Sequence, residues 1–147
     1  MLESSVPADY RQLDRLSEFS NLTGPYYAQA AQAGKAAEDM ALKLGMRIQE
    51  KHLNRLGMAH GGALMTLADN AVGDAVAEVF DEPVSTVTVS MNSEFLSPAV
   101  LGDWVEAETR VLKKGGRLLF VDCLLWTQGR MVMHATAVIA RVNRSTE

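Results

Sequence analysis

The stretch from His52 to Gly73, "HLNRLGMAHGGALMTLADNAVG", gathers an asparagine, two histidines, a double glycine and an aspartate around the start of an apolar run. Gly61 and Gly62 stand where that run would begin a helix, and the first N–H groups of a helix have no intrahelical acceptor. Backed by the positive end of the helix dipole, such donors suit a developing oxyanion. Residues without a Cβ also let a carbonyl come close to the backbone. A double glycine is equally at home in a plain tight turn, so the pair alone leaves both readings open.

Asp69 supplies the other half of a possible chemistry. Its helical neighbours at i−4, i+3 and i+7 are Met65, Val72 and Val76, so it interrupts an apolar stripe. An ionised carboxylate left unpaired there is costly or is pushed toward its protonated form; nearby backbone or hydroxyl donors would satisfy it instead. Sharing a window with an anion-ready helix start, it points to a general base or nucleophile. Spacing then constrains the chemistry. Asp69 lies eight residues past Gly61, about 12 Å along a helix axis, whereas reacting groups must approach to about 3–3.5 Å. If both act on one carbonyl, the aspartate comes from a second copy of the chain.

The elements that must hold these residues can be read from periodicity. Leu64, Leu67, Ala68, Ala71, Ala75 and Val79 predict a helix from about Gly62 to Phe80, with Asp74 and Glu78 on a solvated face. Before it, residues 9–20 place Leu13, Leu16 and Phe19 at the spacing of a short amphipathic helix. The chain breaks at Gly24-Pro25, resumes with a Tyr-rich strand, and then alternates through Leu42, Leu44, Met46 and Ile48. From Val84 the period is two. Val87, Val89 and Met91 oppose Thr86, Thr88, Ser90 and Asn92, and Val105, Ala107, Thr109 and Val111 oppose Trp104, Glu106, Glu108 and Arg110. "KKGG" and "QGR" are turn signals before two further strands. Two strands, one long helix and four strands predict an antiparallel α+β domain. One helix cannot cover a large sheet, so self-association is expected.

Taken together, these residues resemble the hotdog-fold acyl-CoA thioesterases of the phenylacetate-pathway (PaaI) type. The ordered set Asn54, Gly57, His60-Gly61-Gly62 and Asp69 carries the resemblance, with the later Asn92…Ser97-Pro98-Ala99 run and the Lys113…Gly116-Arg117 hairpin. It spans about residues 40–142. It implies an antiparallel sheet wrapped around one long helix, dimerising into larger sheets, within a single domain over 1–147. Residues 1–23 would then be a helical N-terminal extension and about 24–142 the core. It also implies hydrolysis of an acyl- or aryl-CoA to free acid and coenzyme A, with coenzyme A as part of the substrate and no separate cofactor. In this reading Asp69 is the catalytic carboxylate and the Gly61 N–H the oxyanion donor. His60 lines the site, Asn54 holds the carbonyl or the attacking water, and Thr88 stands near that water. Gly62 belongs to the substrate-binding helix start. Lys113, Lys114 and Arg117 would meet coenzyme A phosphates, or form only a solvated hairpin tip. Two other readings on the same fold are a dehydratase or hydratase and a non-catalytic acyl-CoA sensor.

Composition narrows the class further. The chain has 147 residues, 48% hydrophobic and 22% charged, with a net charge of −4. That is ordinary globular usage, long enough for one core, with no electrostatic case for nucleic acid. One cysteine, Cys123, allows no internal disulfide, and the three histidines lack metal-ligand spacing, so no metal is expected. His52 and His134 read as structural. The start lacks the apolar run of a secretory signal, and no stretch approaches the roughly 20 apolar residues of a membrane span. A cytoplasmic dimer or tetramer is the expectation.

Overall fold

The computed structural model describes residues 5–14, 16–29 and 42–143. Seven strands form one sheet in the order β1-β2-β3-β5-β6-β7-β4, every neighbouring pair antiparallel. They are β1 (Tyr10–Gln12), β2 (Tyr27–Gln29), β3 (Leu42–Arg47), β4 (Ser85–Phe95), β5 (Trp104–Lys114), β6 (Leu118–Thr127) and β7 (Arg130–Val142). A short helix, α1 (Glu18–Thr23), precedes β2, and the long helix α2 (Gly61–Glu78) lies between β3 and β4. This is the expected hotdog arrangement.

Alternation in the sequence explains how the sheet closes on the helix. On β5, Val105, Ala107 and Thr109 are buried, and on β6 so are Leu119, Val121, Cys123, Leu125 and Thr127. Leu44, Met46 and Ile48 add the β3 portion, while the side chain of Leu42 lies outside the described residues. Against this face α2 buries Leu64, Leu67, Ala68, Ala71, Val72, Ala75 and Val76. The alanines keep the backbone close to the sheet, and each fully buried Leu or Val contributes about 1.5–3 kcal/mol. The β6–β7 hairpin turns on Gln128 and Gly129, both at positive φ (49° and 73°), as a two-residue turn matching the strand twist requires.

The structure departs from the periodicity in four places. Residues 9–20 are not one helix: Tyr10–Gln12 pair with β2, and helix begins only at Glu18, where Ser17 accepts from the Ser20 N–H. Arg15 lies outside the described residues. Tyr10 is drawn into the sheet by edge-on contact with Trp104, ring centroids 5.1 Å apart, and this tertiary contact overrides the local helical spacing. Phe19 is left exposed while Leu13 and Leu16 pack on the core. The long helix runs from Gly61 to Glu78, ending before Val79 and Phe80. Asp74 is not on a fully solvated face; burial, then the Glu78 charge, push its carboxyl up to about 6.

The fourth departure touches the site. On β4 the register shifts between Thr88 and Ser90, so that Thr88 pairs with Ile139 while Met91 pairs with Ala137. Ile139 and Ala137 are both buried on the helix-facing side. A bulge at Val89 therefore turns Thr88 and Met91 to the same face, where simple alternation had put them on opposite ones.

Candidate active site

The loop before α2 is built around Asn54. Leu53 and Ala59 form an isolated bridge, and Gly57, at a positive φ of 76°, closes the turn by donating to the Asn54 carbonyl at 3.1 Å. That backbone conformation explains the glycine three residues after the asparagine. The Asn54 Oδ1 accepts from the N–H groups of Leu56 (2.9 Å) and Met58 (3.1 Å). With its oxygen committed to the loop, the amide presents its Nδ2 donors to anything bound beside it. Ala59 N–H donates to Ala99 O, and His60 N–H to His52 O, fixing the loop against the Ser97-Pro98-Ala99 run and the preceding turn.

His60 is the N-cap of α2. Its exposed ring accepts the Gly62 N–H at Nδ1, 2.8 Å away, which leaves the ring proton on Nε2 when the imidazole is neutral. Gly62 thus spends its N–H inside the cap, and a Cβ on Gly62 would come within 3.0 Å of that same Nδ1. The N–H groups of Ala63 and Leu64 turn back to the His60 carbonyl. Gly61 is the first residue of α2, where helix N–H groups have no intrahelical acceptor.

Asp69 lies on the exposed side of α2, where its Oδ1 accepts the Thr88 hydroxyl at 2.7 Å. The desolvation suggested by its apolar neighbours is absent in the single chain. Val72 and Val76 are buried in the core, whereas Asp69 meets β4, the strand that ends the sheet. Two more contacts continue this seam. The Ser93 hydroxyl meets the Met65 sulfur at 2.9 Å, and the Phe95 ring lies so close to Gly61 that a Cβ there would be 3.2 Å from Cζ. Gly61, Met65 and Asp69, at i, i+4 and i+8 on one helix face, thus meet Phe95, Ser93 and Thr88 in reverse order along β4. Sequence reasoning missed Phe95 and Ser93, which carry no chemical signal outside this pairing.

The remaining residues stand apart. Lys114 donates to the Val79 carbonyl at 2.9 Å and lies over the Phe80 ring, so it closes the C-terminal end of α2. Lys113 and Arg117, exposed on the same hairpin, share that end. Within one chain this is about 27 Å from Gly61 along an axis rising 1.5 Å per residue. His52 is buried, accepts from Gln49 N–H at Nδ1 and pairs through Nε2 with the Thr23 carbonyl; burial lowers its pKa. His134 sits at 2.6 Å from Asp122 on the outer sheet face. The Cys123 thiol is buried and pushed up to about 12, chiefly by desolvation, which leaves no thiolate nucleophile. Among the described residues no group of His, Cys, Asp or Glu is placed to hold a metal ion, and no helix is long and apolar enough to cross a membrane. A cavity of about 290 Å³ between Arg47, Trp104, Trp126 and Gly129 opens on the outer face of the sheet and contains none of the site residues.

Known proteins share this architecture. Residues 56–134 match the family model described as the thioesterase superfamily. A protein of Pseudomonas aeruginosa, named as a candidate esterase, is 39% identical over 135 residues, covering 91% of this chain and 96% of that one. Human acyl-coenzyme A thioesterase 13 is 28% identical over 124 residues, covering 83% and 84%. The solved structure of the E. coli PaaI protein from the phenylacetic acid degradation operon superposes with a TM-score of 0.65 at 24% identity, over 69% of this chain and 72% of that one. With the family match extending over more than half the chain, and a relative aligned along nearly all of it, the chain belongs to the thioesterase superfamily and is a thioester hydrolase of the hotdog fold.

Proposed function

We propose that the chain hydrolyses an acyl-CoA thioester at a site shared between two copies, with Asp69 of one acting on a carbonyl bound at Gly61 of the other. The observation that carries this reading is the placement of Asp69: exposed, oriented by the Thr88 hydroxyl at 2.7 Å, and too far along its own helix to reach the Gly61 N–H. The coenzyme A part of the substrate is supported by the named activity of the human relative.

The sheet edge provides the means of pairing. Among the described residues β4 is bonded only to β7, and the strand is 11 residues long with Val87 and Val89 half exposed. Such an edge invites another strand. Because α2 runs antiparallel to β4, a two-fold axis at this edge sets two α2 helices side by side in opposite directions. The N-terminus of each then approaches the middle of the other. In that assembly the Gly61 N–H and the helix dipole stabilise the tetrahedral oxyanion. The Asn54 amide donates to the same carbonyl or to the water. Asp69 either removes a proton from the attacking water or attacks the thioester carbon itself, and Thr88 holds its second oxygen in line. His60 keeps the helix start in shape through its cap and turns Nε2–H toward the ligand.

The test is thiol release from a panel of acyl-CoAs by the wild type and Asp69→Asn. The substitution preserves shape and can still bond Thr88, but removes the base, so turnover should fall by at least about a hundredfold. Equal turnover by both proteins would sink the assignment. Acyl-CoA binding without thiol release by either would favour a sensor.

A further inference from the structure

α1 is six residues long, too short to persist as an isolated helix, so its place is set by what it touches. The last carbonyls of a helix lack intrahelical donors. Those of Leu22 and Thr23 are met by consecutive side chains of the turn Glu50–His52, which leads into the candidate site. Lys51 Nζ donates to the Leu22 carbonyl at 3.1 Å, and His52 Nε2 meets the Thr23 carbonyl. The other ring nitrogen of His52, Nδ1, accepts the Gln49 N–H at 2.9 Å. With Nδ1 taken as an acceptor, the ring proton lies on Nε2 and is donated to Thr23. A second proton, on Nδ1, would face the Gln49 N–H donor to donor; burial, the largest influence on this ring, favours its neutral form. The main chain of His52 is also part of the site. Its carbonyl accepts the His60 N–H at 2.7 Å, and two residues on, the Asn54 N–H donates to the Met58 carbonyl at 2.7 Å. With the Leu53–Ala59 bridge between them, these bonds make a short antiparallel ladder. Asn54 stands on one side of it and His60, the N-cap of α2, on the other.

Resting on the function proposed above, we propose that His52 is a positioning residue for thioester hydrolysis: its ring ties the Asn54–His60 ladder to α1 and so fixes the Asn54 amide relative to the start of α2. Of its two ring bonds, the one to Thr23 carries this role. The Gln49 bond closes a turn within three residues, whereas the Thr23 bond joins segments 29 residues apart. α1 is in turn anchored on α2, where the buried Ser20 lies 3.4 Å from the side-chain oxygen of Asn70, the neighbour of Asp69. The ring is 3% exposed and acts through the loop, without touching substrate. Oxyanion donors act at about 2.7–3.1 Å, and a displacement of about 1 Å can cost about a hundredfold in rate. Binding of an acyl-CoA draws on contacts spread over a large molecule. Loosening the ladder should therefore lower kcat and leave KM nearly unchanged.

The experiment measures kcat and KM by thiol release, with the acyl-CoA that the wild type turns over fastest, for His52→Gln, His52→Asn and His52→Ala, each below its melting transition. A Gln amide nitrogen can reach the place of Nε2 and keep the bond to Thr23, whereas an Asn oxygen can replace Nδ1 and keep only the bond to Gln49. His52→Asn and His52→Ala should lose roughly tenfold or more in kcat with KM within about threefold of wild type, and His52→Gln should recover most of that loss. If His52→Ala does not fold, the Gln and Asn pair decides the matter. Folded variants whose kcat stays within twofold of wild type, a loss confined to KM, or a His52→Gln protein no faster than His52→Asn overturn the assignment. Asp69→Asn is assayed alongside. If it is inactive while the His52 variants turn over normally, the role of His52 alone fails; if it is as active as wild type, or if the wild type releases no thiol, the reading of the site fails and the role of His52 with it.

Discussion

At the scale of single residues, the site depends on which atom of each polar side chain is already engaged. Asn54 spends its oxygen on two loop N–H groups, and His60 spends Nδ1 on Gly62, so what they can offer a substrate is an N–H from each. This division makes Asn54→Asp informative. A carboxylate still accepts from Leu56 and Met58, so the loop should hold and the melting temperature should stay within a few degrees. The donor to the thioester is gone and a negative charge stands beside the developing oxyanion. We expect kcat to fall by about 10²–10³, as when an oxyanion donor is removed. Asn54→Ala should lose the loop bonds as well, lowering both stability and activity. Paired melting curves and thiol-release rates check this; an Asn54→Asp protein with near wild-type turnover would remove Asn54 from the mechanism. The residue types were legible in the sequence. Which of their atoms remained free was not, because that depends on a turn closed by Gly57 at positive φ.

At the scale of elements, α2 faces two environments that periodicity alone cannot separate. One stripe, from Leu64 to Val76, is buried by the sheet, and its fit was visible in the spacing. Asp69 and Asp74, five residues apart, exchange the roles expected of them: Asp69 is exposed, and Asp74 is the partly buried one. The folded-state pKa of Asp74 is raised from 3.8 to about 6, first by burial and then by Glu78. The folded chain thus holds that proton more tightly than the unfolded chain, and ionising Asp74 costs stability as pH climbs from about 4 through about 6. Asp74→Asn should be more stable than wild type at pH 7, by about 1 kcal/mol once the remaining solvent contact is allowed for, and no different below about pH 4. Urea unfolding at the two pH values measures it; a difference that does not change with pH would show that burial of the carboxylate is not its cause. The misread segment at residues 9–20 has a similar origin. Its helical spacing is real, but Tyr10 gains more from Trp104 and from pairing with β2 than a short isolated helix could supply.

At the scale of the whole molecule, the proposed site takes Asp69 from one copy and Gly61 and Asn54 from the other. Separately inactive variants should therefore rescue one another. In an equal mixture of Asp69→Asn and Asn54→Asp, refolded together, half the dimers are mixed, and each has one site with an intact Asp69 and an intact Asn54. Activity should return to about one quarter of wild type under random two-fold pairing. A site contained within one chain would recover nothing on mixing.

The sequence by itself determined the antiparallel sheet, the single long helix, the turn before it and the set of residues able to do thioester chemistry. All of these are local: period two or three and six-tenths, glycine where the backbone must turn, and polar types at fixed spacing. It also showed, from helix rise alone, that Asp69 and Gly61 of one chain cannot meet. Tertiary structure decided the rest. The bulge that turns Thr88 toward Asp69, the seam that seats Phe95 on Gly61, and the exposure of Asp69 at the β4 edge all depend on which strand ends outermost and in what register. Those are contacts between segments distant in the chain, set by packing and pairing together, and no local spacing encodes them.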